Sequence, residues 1–449
     1  MKILIIFLSM VIVSCSLINP DRPTASAQIN NKWVSSSPEI MNNSKLDRES
    51  GTYWWAKYQD NTLNQLMESA FKYNNQLQIA GSNVELANAQ LKRIEYAWIP
   101  NISLMTGYSS FPAMGNLGYF FGGFANYTVN VLQLIEQQKQ AEYIVKTIMY
   151  AKKRVQLEVI HQVAISYFSL LAYERELVLY EKLLNDSYLL LNLNQKRFST
   201  GISSEKEPFI SQAEIAEIKS KLEIIKHNIV LSQNALKFLI NQNPGQIIHG
   251  NNFNNLNSDI LIPGDLPLTV LNNRPDVMEV TAKLQAANAG VGVSQSQLLP
   301  TISFSNFYRD ASQNISNGYN PIDFKQTIVN VPILNAQIFA DIAVSNAIYK
   351  QVYYNYLQTI VGALREIDND ISAHRQFTKQ LTDNNIALNY IDKSCSLELV
   401  RFNTGISNQL EYTKCLVRND YYQIIVTQIK MGKLLATAKL YQDFAIIKE

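Results

Sequence analysis

The chain carries four histidines, His161, His227, His249 and His374. They are scattered, most of them over predicted helices, and do not show the spacing of a metal-ligand set. Gly290-Val291-Gly292 lacks the third glycine and the strand–helix setting of a dinucleotide loop. No GK[ST] phosphate loop occurs, so nucleotide hydrolysis by that route is excluded. Asp368 and Asp370 fall on one predicted helix, but two residues apart they occupy different faces. No enzyme, no metal site and no cofactor is therefore expected. The chemistry left is that of three cysteines, Cys15, Cys395 and Cys415.

Cys15 closes an export signal. One Lys precedes an apolar run from Ile3 to Val13. That run is too short to span a bilayer, which takes about twenty residues, and has the length of a signal-peptide core. Residues 1–14 are read as the signal. Ile12-Val13-Ser14-Cys15 resembles a bacterial lipobox, which implies a covalent lipid on Cys15 as the mature N-terminus. Ser16 follows where Asp would retain a lipoprotein at the inner membrane, so the resemblance implies sorting to the outer membrane. No other apolar run is read as long enough for a membrane helix.

Lys and Arg number 39 against 37 Asp and Glu, a balance that gives no reason to expect nucleic acid as a partner. The elements that position the remaining residues come in duplicate. Arg197–Ser203 reads RFSTGIS and Arg401–Ser407 reads RFNTGIS. Ala87-Asn88-Ala89 is answered by Ala287-Asn288-Ala289, and Pro100-Asn101-Ile102-Ser103 by Pro300-Thr301-Ile302-Ser303. Val129-Asn130-Val131 is answered by Val329-Asn330-Val331. A constant order at a steady offset marks a duplicated unit, not a short solenoid repeat. Residues 15–60 are read as a lipidated N-terminus and extended linker. The repeats follow at 61–265 and 266–449.

Asn126 to Thr200 contains no Gly or Pro, so it can stay helical from about Leu134 onward. Val163, Leu170, Leu177, Leu184 and Leu191 recur every seven residues, and Leu357, Ile360, Leu364, Ile367 and Ile371 alternate three and four apart. Both are coiled-coil seams. Period-two patterning marks two strands per repeat, at about 100–110 and 120–134 and at about 300–309 and 323–334. Gly201 and Gly405 can take the left-handed conformation that ends a helix, so tips are expected near 201 and 405. The fold class is mainly α with a small β part: long coiled-coil helices plus four strands.

Four strands cannot close a membrane barrel, which needs about eight, and an open edge in lipid strands unpaired backbone groups. Three chains would supply twelve. Phe111, Tyr119, Phe120, Phe121 and Phe124, read as lying around a strand loop, suit a headgroup-level girdle. Cys395 and Cys415 each lie ten residues from Gly405, at similar height in an antiparallel hairpin. Free buried thiols are the expected state. A hairpin-locking disulfide is the alternative and requires converging Cβ vectors.

These residues resemble the TolC-like outer-membrane efflux proteins, in particular their lipoprotein branch. The carriers are Trp54-Trp55 with NTLNQLMESAF after it, NNRPDV from Asn272, LQAANAGVGV from Leu284, LLPTIS from Leu298, and the RFNTGIS stretch. The resemblance covers about residues 50–445. It implies a homotrimer with a twelve-stranded barrel in outer-membrane lipid and a helical periplasmic tunnel. Its partners would be a periplasmic adaptor protein and an inner-membrane pump. Aligned on Gly405, the acidic tunnel-mouth positions of the family fall on Glu411 and Lys414. Lys414 departs from the usual acid, which puts cation selectivity in doubt. Adaptor contact falls on the tips, Thr200, Gly201 and Ile202 with Thr404, Gly405 and Ile406. The exposed Ile of each tip would be a docking knob, or else a staple packing the turn. Two other readings stay open: an outer-membrane channel for type I protein secretion, and a periplasm-spanning spacer or adhesin stalk without a conduit.

Overall fold

The computed structural model describes residues 23–24, 26–27, 29, 33–35, 53–109, 118–258, 267–312 and 320–444. The signal, Cys15 and Phe111 lie outside these. Helices α1 (Asn61–Tyr73) and α2 (Asn75–Glu95) lead into strands β1 (Asn101–Ser109) and β2 (Gly118–Val129). Helices α3 (Val131–Ser199) and α4 (Lys206–Leu239) form the first hairpin. The short α5 (Pro267–Asn273) and α6 (Pro275–Ser296) lead into β3 (Thr301–Ser312) and β4 (Asn320–Asn330). Helices α7 (Ala336–Asn403) and α8 (Gln409–Asp443) form the second hairpin. At 1.5 Å per residue α3 is about 100 Å long.

The chain divides into two compact units that do not follow the repeats. One gathers Gly81–Ala151 with Asp276–Ile360; the other gathers Ile29–Ala80, Lys152–Pro275 and Val361–Glu449. Each unit therefore contains parts of both repeats.

The first unit holds one antiparallel sheet in the order β1-β2-β3-β4. Its register aligns the repeats: Asn101 faces Asn126, Val129 faces Ile302, and Thr301 faces Asn330. Among the described residues neither outer strand has a partner on its outer edge. β2 stops at Val129, five residues before 134, because Asn130 caps the helix that follows. Its Oδ1 accepts from Gln133 N at 3.1 Å, and its Nδ2 donates to Ser296 O at 2.7 Å. An Asn side chain at this position satisfies a helix-start N–H that a strand would leave to a neighbour. β4 likewise ends at Asn330, four residues before 334, and Asn335 Oδ1 accepts from Gln337 N at the start of α7. β3 runs on to Ser312, three residues past 309.

The second unit is built on the middle of α3. Tyr167, Phe168, Leu170 and Leu171 are fully buried against α1, α4 and α8. Trp54 stacks on Tyr441 at 4.8 Å between ring centroids, and Trp55 packs edge-on against Trp54. Asp60 caps α1 by accepting from Leu63 N at 3.0 Å, and the Tyr167 hydroxyl donates to its second oxygen at 2.7 Å. The seam of α3 drifts. Val163 and Leu170 are buried, but further along the buried positions are Leu179, Leu183 and Leu190, with Leu177, Leu184 and Leu191 only half-buried. A 3.6-residue helix rotates away from a strict heptad by about 20° per repeat, so a long unsupercoiled stretch changes its inward positions. α3 also contains a stretch apolar and long enough to cross a bilayer, contrary to the sequence expectation, but just over half of that stretch is buried.

Candidate functional site

Both tips have the same construction. Gly201 and Gly405 have φ of 74° and 76°. Gly201 N donates to Phe198 O and Ile202 N to Arg197 O, each at 2.9 Å. Gly405 N donates to Phe402 O at 3.0 Å and Ile406 N to Arg401 O at 2.9 Å. This is the paired bonding that satisfies the last carbonyls of a helix and needs a residue free to adopt positive φ. Thr200 and Thr404 hydroxyls each donate back to carbonyls three and four residues earlier. Thus RF-TGIS recurs because one helix stop is built twice. Ile202 and Ile406 are 68% and 72% exposed, so neither is a staple packing the turn.

The tips differ beyond that. The first connection, Thr200–Glu205, is one residue longer than the second, Thr404–Asn408. At the second tip Asn408 Oδ1 accepts from Glu411 N at 3.1 Å and starts α8. Ser407 Oγ donates to Glu398, which also accepts from Arg401 Nη1 at 3.2 Å. Lys414 Nζ lies 3.0 Å from Glu411 Oε1, one helical turn away, with both side chains half exposed. The pair cancels its own charge locally. Its contribution to stability is small, since exposed ion pairs give about 0–1 kcal/mol.

Cys395 and Cys415 are bonded, with Cα atoms 5.5 Å apart, in place of the free thiols expected. The two helices approach closely enough at this height for the Cβ vectors to meet, which spacing alone does not determine. The bond closes a loop with a separation of 20 residues through the second tip. Replacing both cysteines with alanine is expected to lower hairpin stability by about 3 kcal/mol. Limited proteolysis at the tip, with and without reductant, measures this; equal cleavage in both conditions contradicts it.

Several charged contacts were not visible in the sequence. Lys182 Nζ sits 2.5 Å from Asp420 Oδ1 and joins α3 of the first hairpin to α8 of the second. Burial pushes Asp420 up to about 6, with Asp186 adding to the rise and Lys182 opposing it. Asp368, unpromising as half of a catalytic pair, instead holds the N-terminal segment. Ser35 N and Oγ both donate to its carboxylate at 2.9 Å, beside Trp33. Arg274 of the NNRPDV motif lies at the joint of α5 and α6, with Pro275 at the first helical position, where a missing N–H costs nothing. Its guanidinium reaches Glu366 at 3.5 Å and Asp443 at 3.6 Å. The histidines are apart; His249 Nε2 pairs with Glu174 at 2.7 Å.

The sheet has two unlike faces. Ile102, Leu104 and Tyr108 share one with Tyr119 and Phe121 of β2 and with Ile302, Phe304 and Tyr308 of β3. Among the described residues nothing covers these apolar side chains: Ile102 is 74% and Leu104 72% exposed. On β4 this face carries a Lys325–Asp323 pair at 3.1 Å. The opposite face carries Ser103, Asn126, Thr128, Ser303, Ser305 and Gln326. Thr128 and Ser303 hydroxyls are hydrogen-bonded at 2.9 Å across it. The girdle expectation changes here. Tyr119, Phe120, Phe121 and Phe124 lie in β2 and not in a loop, and Phe124 is on the polar face. Tyr108 and Tyr119 meet at 5.2 Å on the apolar face, and exposed Tyr96 and Trp98 precede β1 at its other end.

Among the described residues the helices also leave apolar seams exposed. Ile210, Ile224, Leu231 and Phe238 of α4 are exposed at multiples of seven residues. On α7 Ile386, Tyr390, Leu397 and Val400 are exposed at spacings of four, seven and three. Heptad stripes of this kind face a neighbouring helix.

The model of the family described as outer membrane efflux protein matches residues 266–418. The cation efflux system protein CusC of Escherichia coli O6:H1 is 24% identical over 403 residues, covering 85% of this chain and 84% of the relative. Toxin and drug export protein A of Aggregatibacter actinomycetemcomitans is 21% identical, covering 87% and 88%. The open-state outer-membrane channel MtrE of Neisseria gonorrhoeae shares the fold with a TM-score of 0.78 at 17% identity, over 95% of this chain and 97% of that one. Residues 266–418 thus match the outer membrane efflux protein family, and the rest of the chain is similar to the relatives named and shares the fold of the solved channels.

Proposed function

We propose that this chain is the outer-membrane exit duct of a tripartite efflux system, working as a homotrimer. The observation that carries the reading is the sheet: one face apolar, one polar, both edges free. In lipid a free edge leaves unpaired N–H and C=O groups, so spanning sheets close into barrels. Three copies give twelve strands, an even number of the kind outer-membrane barrels use. The exposed heptads of α4 and α7 then meet between neighbouring copies, a head-to-tail contact that closes a ring. The duct is not an enzyme; energy comes from an inner-membrane pump, reached through a periplasmic adaptor that docks at Ile202 and Ile406. A lipid on Cys15 anchors the N-terminus beside the barrel. A spacer or stalk has no use for a two-faced sheet, and that reading is set aside. The relative named for toxin and drug export keeps polypeptide cargo as a second reading.

Glu411 and Lys414 line the mouth in this reading. Lys414→Ala frees three carboxylates per trimer and is expected to raise cation preference in bilayer conductance, while Glu411→Ala lowers it. Unchanged selectivity in both variants removes the pair from the mouth. Deleting the gene tests the duct itself: cells should retain dyes and antibiotics, whereas unchanged retention with loss of a secreted polypeptide favours the second reading.

A further inference from the structure

Resting on that reading, the geometry points to an aromatic band on the water side of the barrel that selects planar organic cations among the solutes conducted. The register aligns Ser103 with Phe124, Phe124 with Phe307, and Phe307 with Phe324. Directly opposed residues in an antiparallel sheet project from the same face. The three phenylalanines therefore form one row across β2, β3 and β4, on the face that carries the hydroxyl and amide ladder. Phe124 and Phe307 meet edge-to-face at 6.3 Å, and Phe324 stands next to Phe307 in register.

The row is on the face opposite to Leu104, so it adds nothing to the lipid contact. Among the described residues no helix or second sheet packs over it, and Phe324 is half exposed. A polar, water-filled interior is the ordinary lining of an open outer-membrane barrel. A row of three rings there leaves apolar area in water unless a passing solute covers it. Strand tilt spreads each row obliquely, and threefold repetition places three such rows around one band of the lumen. Ring faces attract cations, and flat aromatic solutes stack on them. The Glu411–Lys414 pair cancels its own charge, so it does not select cations strongly by itself. Small hydrated ions lack the apolar surface to use the band.

The test uses the assembled protein in planar bilayers, with ethidium as the planar cation and tetramethylammonium as the non-aromatic one. Wild type should show resolved ethidium blocks, and the triple variant Phe124→Ala, Phe307→Ala, Phe324→Ala should shorten them about tenfold. Tetramethylammonium current should change little. If the triple variant fails to assemble, Phe307→Leu keeps the bulk and should still shorten the blocks. Separately, Phe307→Cys should react with a membrane-impermeant thiol reagent and Leu104→Cys should not. Unchanged block times in a conducting variant, or the reverse labelling pattern, overturn the band while leaving the duct intact. A wild type that never conducts overturns the duct and the band with it.

Discussion

Replacing Arg274 with alanine is expected to destabilise the helical unit by about 1–3 kcal/mol, the cost of leaving a buried partner short of a contact; Glu366 is half exposed and Lys439 stays beside Asp443, which keeps the loss below that of a fully buried pair. Arg274 is buried, and it is the cation shared by Asp443 and Glu366. Asp443 is buried too, and Lys439 Nζ approaches it at 2.9 Å. Asp370 stands beside it: burial first, then its contact with Asp443, push its carboxyl up to about 7. A carboxyl raised on folding gives stability that is complete below its unfolded value of about 3.9 and lost as pH rises through the folded one. The wild-type unit should therefore lose part of its stability between about pH 4 and 7. The Arg274 variant should lose more over the same window, because no guanidinium then offsets the paired carboxylates. Thermal unfolding at pH 5 and pH 8 measures both. An Arg274→Ala protein with an unchanged melting temperature and pH slope would show that the motif is not a charge clamp.

The motif was legible in the sequence, but its partners were not. NNRPDV announces a helix break at Pro275, yet Glu366 and Asp443 lie far along the chain and meet Arg274 only after packing. The same holds for Lys182 with Asp420 and for Asp368 with Ser35. By contrast, the tips were readable to the residue, since Gly at a helix stop is a local demand of φ. The strands were readable in face but not in extent. Parity placed Ile102, Leu104 and Tyr108 together, but the Asn130 and Asn335 caps moved the strand ends. The disulfide depended on interhelix distance at one height, which no spacing encodes. The phenylalanine row needed the register of two strand pairs, β2 with β3 and β3 with β4; in the sequence Phe124 groups with the girdle aromatics, and nothing links it to Phe307 or Phe324.

Leu104→Arg is expected to abolish assembly where Ser103→Arg does not. The two residues are neighbours on β1 and project to opposite faces of the sheet. An arginine on the lipid side of a barrel costs about 2–4 kcal/mol near the bilayer midplane, and a trimer incurs it three times. On the lumen side the same charge stays hydrated, so Ser103→Arg should assemble and shift ion preference toward anions. Asp323 and Lys325 set a boundary on the effect. They are mutually paired, and a lysine can extend its ammonium toward the headgroups. The trimer fraction in membrane extracts and the conductance of whatever assembles give the answer. Equal assembly of both variants would mean that Leu104 does not face lipid.

A shared barrel requires that the sheet of a single chain stays open until others complete it. Native mass spectrometry of the protein extracted from outer membranes into mild detergent addresses that requirement most directly. Three chains per particle are expected, with water-soluble thiol reagents excluded from the Leu104→Cys thiol. A stable particle of one chain, with that cysteine freely labelled, would contradict it.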